Sequence, residues 1–386
     1  MLLKLQNDAL DYAWGSTTLI SEYFGITPTK RPMAEIWFGT HDGSPTKVVG
    51  SQLSLQQTLK HDQRADRLPF LLKILAAEAP LSIQAHPNPA QAKAGFQSEN
   101  EQGIALTAAN RNYKDDKAKP ELIVALSETF EALVGFADPR LIAEKFGELL
   151  EVSPSESFKN VITGWIGQLQ EDGGLKQVFL ETLESPSVDE SFIAELVDLA
   201  EQCPSLVDLV AHLTAHHGLD RGVASALLMN HMILKKAEAV FVPAGMPHAY
   251  LSGLGVEVML ASDNVLRGGL TPKHIDIKEL TKVLEFKVTI PELTKEKVLA
   301  QGLTRFDLPV NEFSFYRVFV SSTNMLMDLD LTGDLIVLCT SGTLAVSNSQ
   351  DEREVIKAGE AVFVAGDARK FSITGSGEGF IAISSS

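Results

Sequence analysis

The chain has 386 residues, enough for two or three domains with ample interior to bury. Its 33 Lys and Arg against 50 Asp and Glu leave a formal charge of −17, which repels nucleic acid and anionic membranes, so an anionic ligand needs a local basic pocket. The 45% hydrophobic and 22% charged fractions are those of a soluble globular protein, no run of about 18 apolar residues offers a membrane span, and the two distant cysteines, Cys203 and Cys339, argue against a disulfide framework or a thiolate zinc site.

The N-terminal MLLKLQNDALDYAWG turns polar at once and lacks the apolar stretch and cleavage site of a signal peptide, so a cytoplasmic location is expected. Up to about residue 137 the chain carries short apolar runs punctuated by Pro and Gly (AEIWFGTH, FLLKILAA, PLSIQAHP, PELIVALS, FEALVGF), which are of strand length. From Asp138-Pro139, an N-cap and first-turn pair, the apolar spacing becomes helical: LIAEKFGELL, SFKNVITGWIGQLQ, LKQVFLETL, ESFIAELVDLAEQC, SLVDLVAHLTAHH and VASALLMNHMIL. The acidic residues between those apolar positions are the solvated faces of the helices. β-type sequence returns at about Glu238 and continues to the end of the chain. The expected fold class is mainly β with a helical insertion (α+β). The predicted units are residues 1–137 with 231–300 (discontinuous β), 138–230 (helical) and 301–386 (C-terminal β). One internal echo, Lys236-Ala-Glu-Ala-Val-Phe-Val against Lys357-Ala-Gly-Glu-Ala-Val-Phe-Val, points to two related β halves. The second copy runs on through Asp367-Ala-Arg369-Lys370 and has no counterpart of His248.

In LSIQAHP, Gln84 and His86 are two apart on a predicted strand, on one face and about 7 Å apart. Glu121 starts another strand after Lys119-Pro120, and His248 follows the turn Pro243-Ala-Gly-Met-Pro247. Gln, His, Glu and His from three strands make an N/O donor set compatible with zinc, although a histidine beside an apolar run is more often a hydrogen-bonded core residue. His212 and His216 have a helical i, i+4 spacing but no accompanying HExxH glutamate. Glu257 faces the opposite side from Val256 and Val258, and with Asp263, Asn264, Arg267 and Lys273 it forms one wall of a site. Lys73, inside FLLKIL, must snorkel or pair with an anion. A pocket collecting Lys73, Lys119, Arg267 and Lys273 suits a phosphate.

LSIQAHP, RNYKDDKAKPE, FEALVGF, VPAGMPHAYLSG and SDNVLRGGLTPK, with YAWGS and AEIWFGTH nearer the start, resemble the signature segments of the type I mannose-6-phosphate isomerases, in order over about residues 10–280. The resemblance implies a cupin-type jelly-roll core, an all-helical domain and a C-terminal, degenerate cupin-like domain. It implies one zinc ion per chain on Gln84, His86, Glu121 and His248. Arg267 is then catalytic, Lys119 and Glu257 line the site, and Lys73, Ser82, Lys273 and Asp263 bind substrate, the first three toward the phosphate end. Mannose metabolism, a sugar-phosphate substrate and a monomer without nucleic-acid or membrane partners complete the expectation. One departure stands out: the family commonly has histidine just before its Lys-Pro-Glu segment, and this chain has Ala118.

An aldose–ketose isomerase moves a proton between C2 and C1 through an enediolate. Arg267, always charged and planar, suits stabilisation of that charge, with Glu257 the first choice of base and Lys119 the second. Two alternatives remain at this level: an Fe(II) oxygenase, because two histidines and a carboxylate also suit iron, and a sugar-phosphate-binding cupin without activity.

Overall fold

The computed structural model describes residues 1–28, 30–367 and 370–385. Its centre is a nine-stranded β system in two leaves that share one long strand, His248–Leu260. One leaf runs Glu35–Phe38, Phe70–Ala77, the second half of the shared strand, Glu121–Ala125 and Ala239–Val242. The other runs Leu266–Arg267, Gln84–Ala85, the first half of the shared strand, Thr129–Phe136 and Met229–Lys235. Every residue of Phe70–Ala77 is buried, as a strand covered on both faces requires, so its one charge, Lys73, has to be neutralised internally.

The shared strand changes leaf at a register shift between Tyr250 and Ser252 followed by Gly253, whose φ of 117° is open to glycine alone at low cost. A Cβ there would stand 2.9 Å from the Phe130 backbone. The bend sets the two ends of the strand across the interior from each other. His248, at one end, then faces Glu121, which pairs in register with Met259 near the other.

The helical unit comprises Pro139–Val152, Glu156–Gln168, Gly174–Glu184, Glu190–Ala200, Val207–His217 and the short Gly222–Ala226. Asp138, Ser155 and Asp189 cap three of these by accepting first-turn backbone N–H groups. Phe146, Phe158, Trp165, Phe179 and Phe192 fill a core continuous with Ile83, Ala85, Leu133, Ala249 and Leu266 of the β leaf, so the helices are packed onto the back of the strands that carry the polar centre. A polar clasp adds to this: Glu131 accepts from His231 Nε2 (2.7 Å), from Ser252 Oγ (3.0 Å) and, across the boundary, from His212 Nδ1 (3.0 Å).

Three features differ from the sequence expectation. VASALLMNHMIL is not a continuous helix: after Ala226 it becomes the strand Met229–Lys235, because pairing with Thr129–Phe136 outweighs a pattern that fits either period. Pro89–Glu101, in the stretch predicted as β, is a helix, signalled by Asn88 as N-cap, Pro89 in the first turn and a reciprocal Asn88–Gln91 capping box. Leu2–Gln6 and Lys47–Val48, assigned above to the first β unit, pair with each other and, through Leu2–Gln6, with Ala361–Val364, and Glu296–Ala300, assigned to the same unit, pairs with Leu303–Phe306, so all three strands belong to the ten-stranded C-terminal sheet. Edge pairing of an N-terminal strand is set by what lies nearby in space, which the local pattern does not carry.

The internal echo is a repeated turn displaced by one residue from the sequence alignment. Lys235 N donates to Glu238 Oε2 and Lys357 N to Glu360 Oε2, both at 2.8 Å, and the strands Ala239–Val242 and Ala361–Val364 follow. Beyond the second strand, Ala368 and Arg369 of the continuation noted above lie outside the described residues.

Burial pushes the Glu131 carboxyl up, but the hydrogen bonds from His212 and His231 outweigh it and hold its pKa well below the ordinary 4.5. The stability this contributes is complete above pH ~4.5 and is lost as the pH falls below that value. Glu131→Gln is expected to lower stability by about 1–3 kcal/mol at pH 7, with a gap from wild type that narrows below pH ~4.5, as measured by denaturant unfolding across pH.

Candidate active site

Glu121 opens the strand Glu121–Ala125, with its carboxylate in the interior between the bent halves of the shared strand. Its Oε1 lies 3.1 Å from His86 Nε2 and 2.8 Å from Lys119 Nζ, and its Oε2 lies 3.4 Å from His248 Nε2 and from the Tyr250 hydroxyl. His86 Nδ1 donates to the Asn264 carbonyl at 2.7 Å and His248 Nδ1 to the Met246 carbonyl at 3.1 Å. Those bonds leave both Nε2 lone pairs turned toward Glu121, buried and without a hydrogen-bond partner. Ligand atoms of His86, Glu121 and His248 lie within 4.8 Å of one another. Gln84 is in register with both His248 and Arg267 and lines the adjoining cavity.

Burial, then Lys119, lowers the His86 pKa to about 4, so the imidazole is neutral and ready to coordinate. Burial pushes the Glu121 carboxyl up, but the Lys119 ammonium beside it outweighs that and holds it well below the usual range. Beside this group sits a second one. Lys73 Nζ lies 2.8 Å from Glu257 Oε2, 3.3 Å from Glu35 Oε1 and 5.0 Å over the Trp37 ring. Burial pulls the Lys73 ammonium down, and Glu257, Glu35 and Glu121 outweigh it and push it above the usual lysine range. Burial raises Glu257 to about 7, with Lys73 pulling down and Glu121 adding to the rise.

Three buried carboxyl groups (Glu35, Glu121, Glu257) thus face two buried ammoniums (Lys73, Lys119). A divalent cation among the Nε2 atoms and Glu121 corrects that imbalance and takes up the two orphaned lone pairs, so the residues fit a metal. Two imidazoles, a carboxylate and an amide oxygen suit zinc.

The centre forms part of the wall of a cavity of about 680 Å³ that also receives Ser82, Asp263, Arg267 and Lys273. Every site residue predicted from the sequence lines this cavity or belongs to the buried cluster. Their electrostatic states differ, however. Lys73, expected at the phosphate end, is committed to Glu257 and Glu35, and Asp263 pairs with His41 at 3.2 Å. Arg267 and Lys273 have no carboxylate partner among the described residues, and burial, Arg267 and Lys114 together lower the Lys273 pKa, the mark of a local positive field.

Sequence reasoning did not single out Tyr250 or Glu35, and it placed Asn264 on the wall of the site, whereas the structure buries that residue completely, off the cavity wall. Tyr250 touches Glu121, and Glu35 accepts from Trp37 Nε1 at 3.0 Å while bonding Lys73. Asn264, fully buried, receives the Lys114 and Asp115 backbone N–H groups on Oδ1 (2.7 and 3.2 Å) and donates Nδ2 to the Asp115 and Lys117 carbonyls (2.9 and 2.8 Å). With its own carbonyl on His86, it ties the loop leading to Lys119 and Glu121 to the histidine. Glu35 and Tyr250 carried a signal, as polar residues inside apolar runs. The role of Asn264 depends on chain crossings that no local pattern shows.

A two-histidine, one-carboxylate centre within a jelly roll defines a metal-dependent protein of the cupin class. The profile of the phosphomannose isomerase type I catalytic domain matches residues 2–138. The mannose-6-phosphate isomerase of Salmonella typhimurium is 34% identical, and that of Escherichia coli K12 33%, each over 97% of both chains. The solved structure of the Salmonella enzyme bound to substrate (fructose 6-phosphate) and zinc aligns over 100% of both chains with a TM-score of 0.89 at 32% identity. A zinc-bound mannose 6-phosphate isomerase gives 0.87 at 31%, again over 100% of both. The chain belongs to the type I phosphomannose isomerase family, which leaves the iron-oxygenase alternative without support.

Because Asn264 orients His86 and anchors the Lys119 loop together, Asn264→Ala is expected to weaken zinc binding about 10–100-fold, measured by competition with a chromophoric chelator.

Proposed function

We infer that this chain interconverts D-mannose 6-phosphate and D-fructose 6-phosphate with one zinc ion held by His86, Glu121, His248 and Gln84. The observation that carries this reading is the pair of orphaned, buried imidazole Nε2 atoms beside Glu121, next to a cavity whose Arg267 and Lys273 have no carboxylate partner among the described residues. When bound, zinc supplies redox-inert Lewis acidity beside the sugar's C1 and C2 oxygens.

The chain's own groups do the rest. A base removes the proton from C2 of the open-chain aldose and returns one to C1, while the hydroxyl proton at O2 passes to O1. Glu257 is the proposed base: buried, with a raised pKa, it is a stronger base than an exposed carboxylate, and Lys73, itself anchored on Glu35, holds it in place. Ala118, buried and without a titratable group, has no proton to offer, so transfer falls to Glu257 or to Lys119 behind it. Arg267, half-buried and without a carboxylate partner among the described residues, faces the cavity as the group that stabilises enediolate charge. Ser82, Lys273 and Asp263 complete the substrate's surroundings, with the phosphate toward Lys273 rather than toward Lys73.

The proposed catalytic unit is the nine-stranded β system, with the helices of residues 138–230 packed behind it, and the second β unit combines residues 301–386 with Leu2–Gln6, Lys47–Val48 and Glu296–Ala300. No helix among the described residues is long and apolar enough to cross a membrane. The proposed state is a cytoplasmic monomer, and its formal charge of −17 disfavours binding to nucleic acid.

The decisive assay is conversion of mannose 6-phosphate by purified protein as isolated, after chelation and after zinc is restored. Activity is expected to vanish and then return; zinc-loaded protein without turnover overturns the reading in favour of a sugar-phosphate binder. In the same assay Arg267→Ala is expected to lose at least about a hundredfold in kcat while keeping its zinc. Glu257→Gln should abolish solvent-deuterium exchange at C2.

A further inference from the structure

The last turn of Val207–His217 reaches the catalytic cavity, where His216 and His217 are the wall residues contributed by the helical unit among those described. This turn is pinned on both sides. One turn earlier His212 is bonded to Glu131, and His217 Nε2 donates to the Pro80 carbonyl at 2.8 Å, at the start of the segment that carries Ser82 and Gln84. Between these anchors His216 is exposed at the cavity wall, its ring 5.7 Å from that of His212, with no hydrogen-bond partner among the described residues.

The location of the phosphate follows from electrostatics and from the shape of the substrate. Isomerisation puts C1 and C2 at the buried centre, so the phosphate on C6 lies at the far end of the molecule. The centre already holds an excess of carboxyl groups, and a dianion is too strongly hydrated to be buried among them. Lys273 and His216 are both exposed residues of the cavity wall, away from the buried centre. We propose that His216 contacts the substrate phosphate and that the helical unit thereby makes the site selective for the phosphorylated sugar. His217 and the His212–Glu131 clasp position it. This rests on the phosphate seat inferred above, and the variants are chosen to separate the two.

The test compares His216→Ala, His216→Gln and Lys273→Ala in steady-state kinetics with mannose 6-phosphate, with inorganic phosphate as competitor and zinc content as the structural control. For His216→Ala, KM and the phosphate inhibition constant should each rise about tenfold while kcat falls by less than twofold. The Gln variant, which keeps an N–H donor, should recover most of the loss. If Lys273→Ala raises both constants and His216→Ala raises neither, the proposal is wrong and the seat stands. If neither variant changes them, the seat and the proposal fall together. Loss of zinc and kcat in His216→Ala without rescue by Gln overturns it in favour of a purely structural role.

Discussion

A carboxylate buried as completely as that of Glu121 costs several kcal/mol to desolvate, and the centre of this protein is arranged around compensating it. Lys119, His86, His248 and Tyr250 all approach the same two oxygens. Because the histidines spend their Nδ1 protons on the Asn264 and Met246 carbonyls, they offer Glu121 lone pairs rather than protons. Protein groups alone leave that arrangement incomplete, and a cation completes it. The fold supplies the convergence through one bent strand, which places His248 and the neighbour of Glu121 at opposite ends of the same thirteen residues.

The cationic side chains divide into two sets by the same reasoning. Lys73 and Lys119 are held by carboxylates in the interior, Lys73 by Glu257 and Glu35 and Lys119 by Glu121. Arg267 and Lys273 have no carboxylate partner among the described residues, so they can meet charge that arrives with the substrate or develops during the reaction.

The helical unit and the C-terminal sheet relate to this centre in different ways. The helices share a hydrophobic core with the strands bearing Gln84 and Arg267, so their last turn has a defined place at the cavity. The C-terminal sheet repeats the turn and the Ala-Val-Phe-Val strand of the catalytic half; it packs Phe313, Phe315, Ile336 and Phe363 against Phe70, Leu72, Ile74 and Val256 of the catalytic leaf, and it encloses a second apolar core of its own. Among the described residues, the one His/Cys/Asp/Glu group able to hold a metal is His86, Glu121 and His248, in the catalytic half.

Much of this was legible in the residues themselves. Alternation and short runs marked the strands, capping residues marked the helices, and chemically costly side chains in apolar surroundings (His86, Glu121, His248, Lys73, Glu257) marked the centre, because burying them demands a reason that local sequence displays. The sequence therefore determined the fold class, the donor set and the cationic wall. Tertiary structure alone decided which cations are already paired, that Leu2–Gln6 joins the distant sheet, that Asn264 links His86 to the Lys119 loop, and that His216 reaches the cavity. Each of these depends on contacts between residues far apart in the chain, and a pairing of that kind is set by the packing of whole elements rather than by any pattern within one of them.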